Sequence, residues 1–314
     1  MSRKINKKKA RRRKKKNRKS SPIAVRIFSF LILLGLLLFS MGAAGYVIFF
    51  RTAIAHGATA EKKQNLDMVF EESYTSVPEL PPDIPPVPDS SLPLVAIIID
   101  DMGYHKEIGN KLLALPMNVT FSFLAAAPHT TYLVEKAFRA GRVILLHQPM
   151  EPKSKERDPG PGALLIGQSK EEQKRIFYQN IQAVPHAVGV NNHMGSLYTE
   201  DRAAMDDLMQ LIRAQGLFFI DSVTTAKSQG FAAAIAAGVL TARRHIFLDN
   251  VRSQDKVCEQ LQKLVKSAEE NGWAIGIGHP HEATLAALTN CREKLLKRVR
   301  LISVQELLTE LNKK

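Results

Sequence analysis

The sequence has few cysteines and no recognisable phosphate-binding loop. Cys258 and Cys291 are the only cysteines in 314 residues, too few for a small fold held together mainly by disulfides. No Gly-x-Gly-x-x-Gly or Gly-x-x-x-x-Gly-Lys segment follows any apolar run, so a nucleotide-binding fold would lack its phosphate cradle. The two cysteines lie on helical patterns, and they either pair in an oxidising compartment or remain core thiols.

Acidic residues are absent from the first 50 positions, and the formal charge of +14 is concentrated there. Residues 3–26 hold 14 Lys and Arg, which leaves 30 basic and 30 acidic side chains for residues 27–314. A nucleic-acid-binding domain normally carries its basic stripe on the folded part, so we expect no nucleic-acid partner. The basic run either contacts RNA or sets membrane topology; its lack of aromatic side chains favours the topology signal.

An uncharged stretch of 24 residues, Ile27–Phe50, follows the basic run. As a helix it would be about 36 Å long, enough to cross a bilayer, and it is too long for a typical signal peptide. A small-residue patch at Gly42–Gly45 keeps cleavage as an alternative. We therefore predict a basic cytoplasmic tail over residues 1–22 and one transmembrane anchor over residues 23–50, with the rest of the chain outside the cytoplasm.

Seven of the 16 prolines fall between Pro78 and Pro93, which favours an extended, semi-rigid spacer. Residues 51–93 are therefore predicted to be a Pro-rich linker. It would hold a domain of residues 94–314 away from the membrane.

The predicted domain alternates short apolar runs with amphipathic stretches. Runs without strict alternation are typical of strands buried on both faces in a parallel sheet, and the stretches between them predict crossover helices. About seven to eight parallel strands in one α/β domain favour a barrel or distorted barrel over an open doubly wound sheet. The predicted strands are Leu94–Ile99, Val119–Leu124, Val143–Leu146, Val188–Val190, Leu217–Ile220, Ile246–Leu248, Trp273–Ile277 and Leu301–Ser303.

Polar side chains follow six of these strands at their carboxyl ends, where sites assemble in parallel α/β folds. Aspartate and histidine without cysteine are typical of a catalytic divalent-metal centre, with zinc the first choice. Any one of these polar residues could instead have a purely structural role. The acidic pair Asp100 and Asp101 could form a turn, and a histidine could cap a helix. The candidates are Asp100, Asp101, His147, Glu151, Asn192, His193, Asp221, Asp249, His279 and His281.

The adjacent acids Asp100 and Asp101 suggest a division of labour. Successive side chains of an extended strand point to opposite sides, so one acid would bind metal and the other would act as general base. A glycosidase that uses Asp100 and Glu151 is an alternative, but it leaves the histidines without a role.

Five segments of the sequence resemble the divergent polysaccharide deacetylase family of bacteria, and they occur in the same order as in that family. The most distinctive of the five contains the block Asn-Asn-His-Met-Gly-Ser. The resemblance covers about residues 94–308. It implies the fold of the carbohydrate-esterase deacetylases, a distorted (β/α) barrel with a metal, usually zinc, on an Asp-His-His triad. The five segments are Ile97–Gly103, Leu146–Pro152, Val190–Ser196, Phe219–Ser222 and Gly276–Pro280.

The resemblance also implies roles for individual residues. Asp100 corresponds to the general base, Asp101 to a metal ligand, and His279 loosely to the general acid. In the better-studied esterases the two metal histidines lie on one short segment, but here Glu151 stands where the second would be. His193 must then supply the second imidazole, or Glu151 must replace it.

The sequence thus predicts a metal-dependent hydrolase that removes acetyl groups from an envelope polysaccharide, anchored in the bacterial inner membrane. Asp101, His147 and His193 would hold Zn²⁺, and Asp100 and His279 would be catalytic. The alternative is a catalytically degenerate module that binds glycan or an envelope protein. Residues expected to support the site or contact substrate are Glu151, Asn192, Asp221, Asp249 and His281.

Overall fold

The computed structural model describes residues 92–293 and 297–313. The predicted tail (1–22), anchor (23–50) and nearly all of the linker (51–93) lie outside these residues. Within the described part of the chain, no helix combines the length and apolar character that a membrane crossing requires.

Strands and helices alternate through the described residues, as the sequence predicts. The nine strands are β1 (Leu94–Met102), β2 (Thr120–Phe123), β3 (Ile144–Met150), β4 (Gly189–Met194), β5 (Phe218–Asp221), β6 (Thr241–Arg243), β7 (Ile246–Phe247), β8 (Trp273–Gly278) and β9 (Arg300–Leu301). The eight α-helices of the described segments are α1 (Lys106–Leu113), α2 (Thr130–Arg139), α3 (Lys170–Ala183), α4 (Arg202–Ala214), α5 (Gly230–Ala237), α6 (Gln254–Asn271), α7 (Glu282–Asn290) and α8 (Val304–Leu311).

All strand pairs are parallel, in the order β6-β5-β4-β3-β2-β1-β8-β7, and β9 pairs with β1. Every residue of β1 and β8 is buried. Burial on both faces explains why these strands show apolar runs rather than alternation. The short β6 was not predicted, because Thr241–Arg243 offers a single small apolar residue.

The sheet is strongly curled. Its two end strands, β6 and β7, are separated in the chain only by Arg244 and His245. Eight strands laid flat would place these ends about 34 Å apart, whereas a two-residue connection spans at most about 11 Å. No pairing joins β6 to β7 in the described sheet. The predicted distorted barrel is therefore confirmed only as a parallel sheet curled into a half-barrel.

The helices cover the outside of the curled sheet, and the predicted apolar stripes lie against it. The stripe of α4 (Met205, Leu208, Met209, Ile212) is buried, as is that of α6 (Val257, Leu261, Leu264, Val265, Ala268). The helix α3 begins at a side-chain cap, since the Ser169 side chain accepts a hydrogen bond from the backbone N–H of Glu172. Packing of these stripes supplies most of the stability of such helices.

A second apolar cluster fills the inside of the curled sheet near the amino ends of the strands. It contains Leu94, Ala96 and Ile98 of β1 together with Leu307 and Leu308 of α8. The helix α8 thus closes one end of the sheet with apolar side chains. The opposite end, where the strands reach their carboxyl termini, is left for polar groups.

Cys258 of α6 and Cys291, the residue after α7, form a disulfide. Of the two alternatives that the sequence left open, the structure therefore has the paired one. The bond ties two neighbouring helices on the outside of the sheet.

Candidate metal centre

The inward-facing side chains of β1, β3 and β8 change from apolar near the start of the strand to polar at its carboxyl end, and those of β4 are polar at the same end. In β1 the inward row Leu94, Ala96, Ile98 continues, with a period of two, to Asp100. In β8 the inward row Trp273, Ile275, Ile277 continues in the same way to His279. By the same alternation, Leu145 and His147 of β3 both point inward, and so do Asn191 and His193 of β4. The carboxyl end of the curled sheet is therefore lined by acids, imidazoles and an amide.

Asp101 breaks this alternation. An ideal strand would point Asp101 away from Asp100, as the sequence analysis expected, but Asp101 has a φ of 53° and the β1–β2 register is irregular between Ile99 and Met102. Aspartate tolerates this left-handed region better than most residues. Both carboxylates consequently approach one imidazole: Nε2 of His147 lies 3.7 Å from Oδ2 of Asp100 and 3.2 Å from Oδ1 of Asp101.

Asp101, His147 and His193 form a buried triangle of donor atoms. Nδ1 of His193 lies 2.8 Å from Oδ1 of Asp101 and 3.2 Å from Nε2 of His147. The imidazole of His193, and not the carboxylate of Glu151, therefore joins Asp101 and His147 in this cluster.

The triangle fits a divalent metal ion. Tetrahedral zinc with bonds of about 2.0–2.2 Å keeps its ligand atoms about 3.3–3.6 Å apart. The two separations that involve His147 are 3.2 Å, and the Asp101–His193 separation of 2.8 Å would widen on binding the ion. Oδ1 of Asp101 is also buried without a hydrogen bond of normal geometry, although two ring nitrogens face it. A buried acceptor in that position is costly unless a cation or a donor satisfies it. Three protein ligands would leave a coordination position open, as in catalytic rather than structural sites.

The two adjacent acids differ in their proton affinity. Burial raises the pKa of Asp100, and this effect exceeds the opposing attraction of His147 and His279. Burial also acts on Asp101, but contact with His193 and His147 holds the pKa of Asp101 well below its ordinary value. Two neighbouring acids whose pKa values differ in this way are suited to different tasks. Asp101 stays charged and can serve as a metal ligand, whereas Asp100 can take up and release a proton.

His279 is held by a buried carboxylate on its far side. Its Nδ1 lies 2.9 Å from Oδ1 of Asp249, and its backbone N–H donates to Oδ2 at 2.6 Å. The hydroxyl of Thr284 donates to the same Oδ2 at 2.6 Å. Nε2 of His279 then faces the centre, 3.8 Å from Oδ2 of Asp101. Burial alone would lower the pKa of His279, but the charge of Asp249 outweighs it and raises the pKa to about 9.

Three of the predicted supporting residues hold loops around the site. Oε2 of Glu151 accepts the backbone N–H of Ile166 at 2.6 Å. Asn192 accepts the backbone N–H of Ser222 at 2.9 Å and donates to the carbonyl of Met194 at 2.8 Å. Asp221 accepts from the backbone N–H groups of Val223 and Phe231 and from the hydroxyl of Ser228.

Another predicted supporting residue, His281, precedes α7 and lies beside a cleft. Its Nε2 is buried without a hydrogen-bond partner, and burial lowers the pKa of His281 to about 4. The cleft has a volume of about 590 Å³ and is lined by residues that follow β1, β7 and β8, including Tyr104, Lys106, Arg252 and His281. It opens beside the two strands that carry Asp101 and His279.

The sequence analysis missed Asn191, which bonds both a candidate ligand and the candidate base. Its Oδ1 lies 2.8 Å from Nδ1 of His147, and its Nδ2 donates to both oxygens of Asp100 at 2.8 and 2.9 Å. The signal that could have found it is the alternation of β4, which points Asn191 and His193 inward and Asn192 outward.

Fold and site together define a parallel α/β protein with a buried Asp-His-His centre suited to a divalent cation. A family model described as divergent polysaccharide deacetylase matches residues 97–308, most of the chain. The chain belongs to the divergent polysaccharide deacetylase family.

Two comparisons extend this result. The uncharacterized protein YibQ of Escherichia coli (strain K12) is 36% identical over 216 residues, which cover 69% of this chain and 67% of the relative. An uncharacterized protein from Agrobacterium tumefaciens C58 has a similar structure, with a TM-score of 0.66, 25% identity, and coverage of 71% of this chain and 92% of the other.

A third similarity concerns the fold alone. A putative cellobiose-phosphate cleavage protein from Enterococcus faecalis V583 matches with a TM-score of 0.50 and 15% identity, covering 69% of this chain and 99% of that protein.

Proposed function

We propose that this protein is a metal-dependent hydrolase that removes acetyl groups from a polysaccharide of the cell envelope. The observation that carries the proposal is the buried triangle of Asp101, His147 and His193, with Asp100 and His279 next to it. Family membership supports a polysaccharide as the class of substrate.

A bound zinc ion would supply Lewis-acid chemistry, polarising an acetyl carbonyl and making water more acidic. Asp100 accepts a proton from the attacking water, and a raised pKa suits a carboxylate to that task. The water oxygen bonds to the acetyl carbon as the bond from that carbon to the sugar nitrogen or oxygen breaks. His279, held by Asp249, donates a proton to the departing group, so the products are acetate and a free amine or hydroxyl.

The cleft beside the centre is the proposed position of the glycan chain. The cleft is lined by aromatic and cationic side chains, among them Tyr104, Lys106 and Arg252. Aromatic rings can pack against sugar rings, and the cationic groups can donate hydrogen bonds to sugar hydroxyls. His281 lies where β8 leads into α7, between His279 and this cleft, and would contact the substrate. Glu151, Asn192 and Asp221 would support the site by holding the surrounding loops.

We further propose that residues 94–314 lie outside the cytoplasm, tethered by the linker 51–93 to a single anchor in the inner membrane. The Cys258–Cys291 disulfide supports this location, because disulfides persist in oxidising compartments and are rare in the cytoplasm. Thiol alkylation in intact cells checks it. We expect both cysteines to be unreactive until a reductant is added, and free thiols in unreduced cells would contradict the proposal.

Acetate release by the purified full-length protein tests the catalytic proposal. We expect release from acetylated envelope glycan, loss of release after chelation, and recovery when zinc is returned. Zinc content near one ion per chain should accompany the activity. Zinc loading without acetate release from any acetylated polymer would leave the non-catalytic, glycan-binding alternative.

A matched pair of histidine variants separates the metal site from general damage. His193→Gln should lose both zinc and activity. His245→Gln should keep both, because His245 is equally buried but accepts the backbone N–H of Ile275 and is no part of the donor triangle. Equal loss in the two variants would contradict the assignment of His193 as a ligand.

A further inference from the structure

Asn191 connects the metal triangle to the proposed general base through one side chain. It lies on β4, directly beside His147 of β3 in the parallel register. Its amide reaches across the inside of the curled sheet to Asp100 of β1, three strands away in the sheet order. A flat sheet would separate β4 and β1 by about 14 Å, so this contact depends on the curl.

Only one orientation of the Asn191 amide suits its surroundings. Nδ2 faces both oxygens of Asp100 at 2.8 and 2.9 Å. Oδ1 accepts the hydroxyl of Ser122 at 2.5 Å and faces Nδ1 of His147 at 2.8 Å. A flipped amide would place its oxygen against the carboxylate, leaving two acceptors in contact in a site where Asn191 is fully buried. The carboxylate of Asp100 therefore determines the direction of the amide.

The direction of the amide in turn determines the tautomer of His147. Because Oδ1 of Asn191 only accepts hydrogen bonds, Nδ1 of His147 must carry the proton. Nε2 of His147 is then left with a free lone pair, and this is the nitrogen 3.2 Å from Oδ1 of Asp101. Partners of this kind orient ligand imidazoles in metal sites and tune their basicity.

We propose that Asn191 is a positioning residue with two roles: it presents Nε2 of His147 to the metal, and it orients the carboxylate of Asp100 for proton transfer. This inference rests on the proposed function and adds to it a link between ligand and base. The polar contacts of the Asn191 side chain are with His147, Asp100, Ser122 and Ser222, so it would act on the metal and the attacking water through His147 and Asp100.

Two substitutions separate the roles in the full-length protein. Asn191→Ala removes both bonds, so we expect the zinc dissociation constant to rise about 10–100-fold and acetate release to fall. Asn191→Asp keeps an acceptor for His147 but turns the donor to Asp100 into an oxygen. It should bind zinc within about threefold of the unmodified protein, while kcat of the loaded enzyme falls about a hundredfold with KM little changed.

Asn180→Asp is the matched control. Asn180 is also a buried amide, and its Nδ2 donates to Oε1 of Gln148 at 3.0 Å and to the carbonyl of Gly162 at 2.8 Å. The same substitution should lower the melting temperature without changing zinc affinity or kcat. A merely structural role for Asn191 predicts the behaviour of this control: reduced stability, with zinc affinity and kcat of the folded fraction unchanged. That result would overturn the proposal.

Histidine nitrogen chemical shifts of the chelator-treated protein give a readout that needs neither metal nor activity. We expect His147 to carry its proton on Nδ1, and Asn191→Ala to produce a mixture of tautomers. An unchanged His147 tautomer in Asn191→Ala would contradict the proposal even if the protein is active. An unmodified protein with the expected tautomer and bound zinc but no acetate release would instead contradict the proposed hydrolase activity and leave the role of Asn191 in presenting His147 to the metal standing.

Discussion

Asp101 and Asp221 are both buried aspartates at the carboxyl ends of parallel strands, yet their surroundings are opposite. The carboxylate of Asp221 accepts three hydrogen bonds, from Val223, Ser228 and Phe231. Oδ1 of Asp101 has no hydrogen bond of normal geometry and faces two imidazoles instead. A strand-end acid whose donors are all supplied by the loop and helix that follow it is structural. A strand-end acid that receives no hydrogen bond and faces other potential metal ligands is suited to binding a cation.

The strongest test of this comparison is Asp101→Asn. The substitution preserves shape but removes the charged ligand, so we expect zinc to be lost and acetate release to fall at least about a thousandfold, or about 4 kcal/mol. The metal-free variant should also be less stable at neutral pH, because the imidazoles of His193 and His147, which hold the pKa of Asp101 well below its ordinary value, lose their charged partner. Elemental analysis and urea unfolding measure both. Retained zinc would show that Asp101 is not a ligand.

The disulfide should have the largest effect on stability alone. Cys258 and Cys291 are separated by 33 positions in the sequence, for which loop-closure entropy predicts a contribution of about 3–4 kcal/mol. Replacing both by serine should lower the free energy of unfolding by about that amount while leaving zinc content and kcat unchanged. Loss of zinc in the folded double variant would mean that the outer helices also position the ligands.

Asp221→Asn is the counterpart of Asp101→Asn and should differ from it in its effect on zinc. An amide in place of the carboxylate leaves at least one of three buried donors facing an NH₂ group, at an expected cost of about 2–4 kcal/mol of stability. Zinc stoichiometry should be unchanged. Urea unfolding and elemental analysis again measure both, and full stability combined with lost zinc would reverse the roles assigned to the two aspartates.

The smallest effect is expected at Asp249, which acts through His279. Asp249→Asn should lower acetate release about 10–100-fold by leaving His279 less well oriented and less often protonated. In the chelator-treated protein, the pKa of His279 should fall from about 9 toward its ordinary value. An unchanged pKa would show that other charges hold the proton.

Stability should depend on pH in the direction that this shift requires. A pKa raised by folding stabilises the protein fully below the ordinary value of about 6.5, and the contribution disappears as pH rises through about 9. The chelator-treated Asp249→Asn variant should therefore lose most stability, relative to the unmodified protein, at mildly acidic pH below about 6.5, where Asp249, whose own pKa is lowered by His279, is still charged.

Alternation along the strands explains how much of the site could be predicted. The inward rows of β1 and β8 lead to Asp100 and His279 by simple counting, and the row of β3 leads to His147. The alternation of β4 points Asn191 and His193 inward and Asn192 outward. The sequence pattern therefore favours Asn191 over Asn192 as a residue of the site.

Asp101 could not have been placed by counting, because its inward direction depends on a φ of 53°. Alternation alone would point it outward, and only the resemblance to a known family suggested it as a ligand. The curl of the sheet could not be predicted from the sequence either. The proximity of β4 to β1 follows from the two-residue connection between β6 and β7, and β6 was too short to be recognised in the sequence.

Anomalous diffraction at the zinc absorption edge, from crystals of the zinc-loaded protein, tests the central claim most directly. The account predicts one strong peak within about 2.0–2.2 Å of a carboxylate oxygen of Asp101, Nε2 of His147 and Nδ1 of His193. A peak held by other residues, or no peak within the triangle at full zinc loading, would contradict it.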